Sequence, residues 1–452
     1  MLEIIVSMAG FLWDYVLLWA LLGAGLYFTV RLGFPQIFKL GQAMKEAFGG
    51  IFKKKTPDQK GEVSSFAALA TAIAAQVGTG NVAGVATAIM TGGPGAVFWM
   101  WVSGILGMST IFAEAVLAQV YRQEENGEIY GGPSYYMSKG LKNKTLGKVL
   151  AALFSVFIIL ALPLAGNMVQ SNSIATSLKA AFNIPPIAVG VVLGILVLAI
   201  VVGGIQRISK FAEMVVPVMA IIFIIAGFAI IFKFRANVIP TLKLIIDSAF
   251  GVSAVAGGIA GATMKEAMRL GIARGLFSNE AGMGSTPHAH AVADVAHPVN
   301  QGLVAMAGVV VDTIIICTMT ALVILLPGAH TVSAELGIEG AAVTQKGFEL
   351  AFGNAGTIFL AVSLLFFAFT TIVGWYYFGE SNIMYLFGEK ALTPFRILVA
   401  LAVVAGTVLS VPVVWDLSDF FNALMVLPNI IGILLLSNVV VKKKREFESL
   451  KK

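Results

Sequence analysis

The chain has 452 residues, of which 58% are hydrophobic and only 12% charged, with a formal net charge of +6. That charged share is about half of what an ordinary soluble domain carries, and no polar linker divides the chain into the several cores that a soluble protein of this length would need. One membrane-embedded, all-α unit satisfies both facts. The basic residues lie scattered in short loops without stacking aromatics, which excludes a nucleic-acid surface; the single cysteine, Cys317, excludes an intramolecular disulfide and a cysteine-cluster metal centre.

Taken in chain order, eleven apolar runs are long enough to cross about 30 Å of hydrocarbon. They are 11–30, 65–90, 96–120, 150–175, 186–204, 211–232, 256–287, 299–326, 355–378, 394–412 and 418–441. Met1 to Gly10 carries Glu3 but neither a basic start nor a cleavage pattern, so the first run is expected to be a retained span rather than a signal peptide. The loop after it holds Arg31, Lys39, Lys45, Lys53, Lys54, Lys55 and Lys60. Further basic groups fall at Arg122 to Lys148, Arg207 and Lys210, Lys390 and Arg396, and Lys442 to Lys452. The opposite loops hold only Lys179, Lys233, Arg235, Lys243 and Lys346. By the positive-inside rule the N-terminus is outside and the C-terminus cytoplasmic. Between the first two spans, Phe34 to Phe48 reads either as an interfacial helix or as a plain charged loop.

The second run is interrupted at Gln76-Val77-Gly78-Thr79-Gly80-Asn81, two glycines among three polar side chains at membrane depth. An unwound backbone is tolerated there only inside protein or beside a wet cavity. The freed amides of Thr79 and Gly80 would open a half-helix and favour a carboxylate, and the carbonyls of Ala74 and Val77 would face a cation. The alternative, close packing through small residues such as Gly80 and Gly84, leaves Gln76, Thr79 and Asn81 without a reason. The seventh run carries Lys265, Glu266, Arg269, Arg274 and Glu280, charges that no lipid-facing helix accepts. A break between Gly271 and Gly284, with Pro287 opening a resumed half-helix, would free carbonyls of Ala273, Arg274, Gly275 and Leu276 for an ammonium group; a re-entrant loop is the alternative. Spans two to six and seven to eleven then form two halves that start on opposite sides, each with a broken helix. That is an inverted-repeat arrangement, with its site at the midplane. The expected division is 1–62 for the extra N-terminal helix and interfacial segment, 63–235 and 236–441 for the two five-helix repeats, and 442–452 for a basic tail.

The stretch from Gly92-Gly93-Pro94-Gly95 through Phe98-Trp99-Met100-Trp101 and Gly107-Met108 to Glu114 resembles the defining segment of the sodium:alanine/glycine symporter family. Val77 to Asn81 (VGTGN) and Phe277 to Ala291 (FSNEAGMGSTPHAHA) are similar to it as well. The resemblance spans essentially the whole chain. It implies a LeuT-type fold with one extra N-terminal helix, and import of alanine or glycine across the cell membrane, driven by sodium or, less often, protons. No cofactor beyond the coupling ion is implied. By the same similarity, Thr79 and Gly80 hold the substrate carboxylate, and Thr370 and Thr371 join Ala74 and Val77 around sodium, hard oxygen ligands for a hard cation. Read alone, a Thr-Thr pair would back-bond to its own helix.

Gln170 and Asn172, late in the fourth run, sit where a substrate could be reached; interhelical contacts are the alternative. Phe277 and Trp375 are candidate apolar walls. His288, His290, Asp294 and His297 could suggest a divalent metal, but no HExxH accompanies them, and a polar cytoplasmic mouth is the preferred reading. No catalytic constellation points to an enzyme. Glu114 and Asp312 are membrane-embedded carboxylates, expected either to function or to pair with Lys or Arg.

Overall fold

The computed structural model describes residues 2–49, 62–125, 127–251 and 263–450. The first part of the seventh run, and Lys53, Lys54, Lys55, Lys60, Lys451 and Lys452, lie outside those residues. Among the described residues, eight helices are long and apolar enough to cross a membrane, or nine if one bent pair is a single span, against the eleven crossings expected.

In chain order the principal helices are α1 (Glu3–Arg31), the bent pair α2 (Ser65–Gln76) and α3 (Gly80–Gly92), α4 (Ala96–Tyr121), α5 (Lys144–Phe182), the shorter α6 (Pro186–Val201) and α7 (Gly204–Lys233). They continue with α8 (Met264–Asn279) and the five-residue α9 (Pro287–Ala291). The last four are α10 (Pro298–Leu325), α11 (Asn354–Phe387), α12 (Glu389–Val408) and α13 (Pro412–Leu435). Helices also form over Pro35–Phe38 and Leu40–Phe48, with Ile37 and Phe38 exposed, so this segment is helical rather than a plain loop.

Side-chain oxygens start several helices by satisfying orphan amides. Ser64 accepts from the Ala67 N–H at 3.0 Å to open α2, and Asn143 from Leu146 at 3.0 Å to open α5. Thr263 and Glu266 form a reciprocal capping box at the start of α8.

Polarity is inverted relative to a soluble protein. Ile222, Ile225 and Phe228 are exposed, while Glu114, Asp312, Asn81, Thr79 and Gln301 are wholly buried. Backbone groups in hydrocarbon must be satisfied internally, and polar side chains must find each other there. The helix α4 lies at the centre, packed on α8, α10 and α1, while α11 contacts α2, α5 and α7. At one end a parallel pair of short strands, β1 (Val63–Ser64) and β4 (Ala293–Asp294), ties the start of α2 to the segment after α9. A hairpin of β2 (Gln123–Glu125) and β3 (Glu128–Tyr130) follows α4.

Candidate functional site

Helix α2 ends at Gln76, and the chain resumes at Gly80 bent by 49°. The resumed helix begins with a π-helical turn over Gly80–Gly84, a form frequent at functional sites. Neither Gly78 nor Gly80 has positive φ; both are required by close approach. A Cβ on Gly78 would overlap the Thr371 hydroxyl and lie 2.9 Å from Gln170 Oε1, and one on Gly80 would lie 3.2 Å from the Phe277 ring. The amides of the break are occupied by neutral side chains. Gly78 N–H donates to Asn81 Oδ1 at 3.0 Å and Thr79 N–H to Gln170 Oε1 at 3.1 Å. Gln170 therefore sits on an amide assigned to the substrate carboxylate.

Asn172, two residues on, points elsewhere: its Nδ2 donates to the carbonyls of Gly406 and Leu409 at 2.8 Å each, fastening α5 to the end of α12. It is an interhelical clamp in this structure and is not at the break.

Of the four residues assigned to the ion, three come together. The Thr371 hydroxyl lies 2.9 Å from the Ala74 carbonyl oxygen, 3.3 Å from that of Val77 and 3.0 Å from that of Phe367. A hydroxyl donates one hydrogen bond and keeps two lone pairs, so three carbonyls converge on one donor. Thr370 turns away; its hydroxyl is bonded to the carbonyls of Phe366 and Phe367 in its own helix and faces Met219. The Phe367 carbonyl is a group the sequence did not single out.

The second break falls at the far end of the expected interval, Gly271 to Gly284. Helix α8 is continuous through Asn279, and Glu280 N–H still donates to Leu276 O at 2.8 Å. The carbonyls of Ala273, Arg274, Gly275 and Leu276 thus belong to the helical ladder and do not supply the expected ammonium site. Gly271 and Gly275 serve packing instead. A Cβ on the first would meet Trp99 Cβ at 2.7 Å and on the second Met100 Cα at 3.2 Å, so they let α8 lie directly on α4. The left-handed turns fall at Glu280, Gly282 and Gly284, with φ of 57°, 86° and 81°.

Buried carboxylates organise this loop. Glu114 on α4 accepts from the N–H groups of Gly282 (2.9 Å) and Gly284 (3.0 Å) and from Asn429 Nδ2 (2.7 Å); the Asn429 side chain also receives the Tyr136 hydroxyl. Glu280 accepts from Trp375 Nε1 and from Ser285 Oγ, both at 2.5 Å. Asp312 on α10 accepts from Asn81 (2.6 Å), Ser278 (3.0 Å) and Thr313 (2.7 Å), so it touches both breaks, which Gln76 Nε2 also joins by donating to Asn279 O at 2.6 Å. Glu114 and Asp312 make no ion pair with Lys or Arg among the described residues; hydrogen-bond donors take that place. Asn422 and Asn429, seven apart in the eleventh run and so on one helical face, are a signal that could have marked such a donor.

The two candidate walls do meet. Phe277 and Trp375 are edge to face with centroids 6.1 Å apart, and a Cβ on Gly166 would lie 2.5 Å from the Trp375 ring. The Arg274 side chain points to α13, where it forms a bidentate pair with Asp419 at 2.9 and 2.8 Å. His288 is stacked between Phe154 and Phe378 and bonded to Asn382, while His290 is bonded to Gln301. Both are core side chains with different neighbours, and no group of three metal-ligating residues occurs among the described residues.

Residues 1–452 match the sequence model of the sodium:alanine symporter family. The sodium/alanine symporter AgcS of Methanococcus maripaludis is 42% identical over 98% of this chain and 96% of its own length. The probable sodium/glutamine symporter GlnT of Bacillus subtilis is 41% identical, covering 100% of this chain and 92% of that one. Among solved structures, MhsT in complex with L-phenylalanine superposes with a TM-score of 0.58 at 14% identity, over 84% of this chain and 89% of that one, a likeness of fold.

Proposed function

The chain belongs to the sodium:alanine symporter family, and from that premise we propose that it is a secondary active symporter importing alanine or glycine with sodium by alternating access. The observation that carries this reading is the convergence of the Ala74, Val77 and Phe367 carbonyls on the Thr371 hydroxyl at the first break. When Thr371 gives its proton to Phe367 alone, its lone pairs and the carbonyls of Ala74 and Val77 become a set of hard oxygen ligands for sodium. Thr370, bonded within its own helix, contributes less.

The substrate carboxylate displaces Gln170 Oε1 from the Thr79 amide and takes the Gly80 amide as well, at the positive end of α3. Gln170 then bonds the substrate instead. Its ammonium is taken by the open end of α8, at the carbonyls of Phe277 and Ser278, rather than one turn earlier. Phe277 and Trp375 limit side-chain size. Sodium binding stiffens the break that presents Thr79, so the two ligands favour the same conformation and coupling is a difference in affinity between states. The chain crosses the membrane eleven times with the N-terminus outside and the C-terminus cytoplasmic, as its basic loops require.

The test is uptake into proteoliposomes of labelled L-alanine, D-alanine, glycine and glutamine under a sodium or a proton gradient. Saturable alanine and glycine uptake that needs sodium is expected. Uptake driven by protons alone would sink the sodium assignment, and a preference for glutamine would replace the substrate class.

A further inference from the structure

At the end of the bundle that carries the start of α1, the first turns of that helix lean on α8 and α13 and enclose a cavity of about 170 Å³. That exceeds the roughly 10–15 Å³ that admits one water and falls below the ~300–1,000 Å³ of sites for drug-sized ligands. Its apolar lining comes from Val6, Ala9, Trp13, Leu270 and Ala273, and its charges are Arg269, Arg274, Asp416 and Asp419.

Three of these charges are already engaged. Arg274 and Asp419 form their bidentate pair, and the guanidinium lies 5.0 Å from the centroid of the Trp415 ring. Trp415 packs on Phe277 at 5.5 Å, so one aromatic ring separates the pair from a wall of the candidate inner site. Helix α1 braces both sides: Trp13 Nε1 donates to the Asp419 carbonyl at 3.0 Å, and Asp14 pairs with Arg269 at 2.7 Å. Two polar groups are left over. Arg274 Nε is buried without a hydrogen-bond partner, and the Asp416 carboxylate makes no hydrogen bond or ion pair among the described residues. One cavity thus offers a spare cationic donor, a spare carboxylate and an apolar wall.

We propose that this cavity is an outer docking site for a small zwitterionic amino acid, which binds its carboxylate at Arg274 and Arg269 and its ammonium at Asp416 before the Arg274–Asp419 pair opens. Parting a half-buried ion pair leaves two bare charges, which is costly; the carboxylate of the zwitterion takes the place of Asp419 on Arg274, and its ammonium, held at Asp416 one helical turn from Asp419, offsets the carboxylate left behind. Arginine suits such an exchange because its planar fork receives a carboxylate bidentately. The extra helix α1 supplies the third wall and the brace on Asp419, which gives this segment a part in substrate entry. The proposal rests on the symporter reading for its direction of traffic, but the site has its own chemistry and its own readout.

Val6 lines the cavity and is 43% exposed, whereas Cys317 is buried. In Val6→Cys protein, alkylation by a membrane-impermeant maleimide therefore reports on the cavity. L-alanine is expected to slow labelling severalfold in sodium and in choline chloride alike, and equally in a Thr371→Ala background. N-acetyl-L-alanine, which lacks the ammonium, and L-alanine amide, which lacks the carboxylate, are expected to leave the rate unchanged at the same concentration. Asp416→Asn is expected to remove the protection. No protection by alanine, equal protection by all three compounds, or protection that survives Asp416→Asn would overturn the site. Protection that needs sodium or an intact Thr371 would assign the effect to the inner site and overturn it too. Sodium-independent uptake by the unmodified chain would instead count against the symporter reading and leave the labelling result standing.

Discussion

The two breaks differ in what holds them. At the first, the amides of Gly78 and Thr79 meet the neutral side chains of Asn81 and Gln170, and its carbonyls meet the Thr371 hydroxyl. At the second, the amides of Gly282 and Gly284 meet the Glu114 carboxylate, and Glu280 is held by Trp375 and Ser285. Hydrogen bonds to a charged group are worth about twice neutral ones. The first break is therefore exchangeable, since a carboxylate or a cation can better every partner it has, while the second is staked in place as framework.

The comparison is broken most severely at the stake. Glu114→Ala leaves two loop amides and Asn429 without their acceptor, and a loss of about 3 kcal/mol or more is expected, read as a large fall in melting temperature or folded yield in detergent. Glu114→Gln should lose less, because one acceptor oxygen remains. If Glu114→Ala melts like the unmodified chain, the second break is not held by charge.

Gly78→Ala strikes the exchangeable break. Its methyl would overlap the Thr371 hydroxyl, and overpacking costs about 1–3 kcal/mol. Uptake should fall at least tenfold while the protein still folds, and unchanged uptake would mean that the close approach of α2 and α11 is dispensable.

The adjacent threonines sharpen the contrast further. Thr371→Ala is expected to raise the sodium concentration for half-maximal alanine uptake about tenfold, equivalent to about 1.4 kcal/mol. Thr370→Ala, which removes bonds within its own helix and a weak contact with Met219, away from the break, should change it by less than about twofold. Equal effects would undo the assignment. The smallest effect on transport is expected at Asn172→Ala: loss of about 1–2 kcal/mol of thermal stability from two buried hydrogen bonds, with the half-saturating substrate concentration unaltered.

The partners that stake the loop were hidden for a physical reason. A carboxylate in an apolar run shows that something must satisfy it, but whether that is Lys, Arg or a backbone amide depends on which helix lies opposite. Glu114 finds Gly282 across 168 positions of chain, and Asn429 across 315. Only the seven-residue spacing of Asn422 and Asn429 on α13 left a trace in the sequence.

By themselves, composition and hydropathy determined an all-helical membrane protein, because apolar runs of bilayer length admit few other structures. The cluster Gln76 to Asn81 determined the first break, because polar residues and glycines at that depth have no use on a lipid-facing helix. Tertiary structure decided the rest. Of the four glycines that read as hinge residues, Gly271 and Gly275 are contact points between α8 and α4, and the turn falls only at Glu280, Gly282 and Gly284, where Glu114 binds the freed amides. Thr370 and Thr371 are adjacent in sequence, yet the 100° step of a helix turns only one of them toward Ala74 and Val77. A glycine's freedom and a hydroxyl's lone pairs are legible in the chain; which neighbour uses them is set by the packing of helices far apart in it.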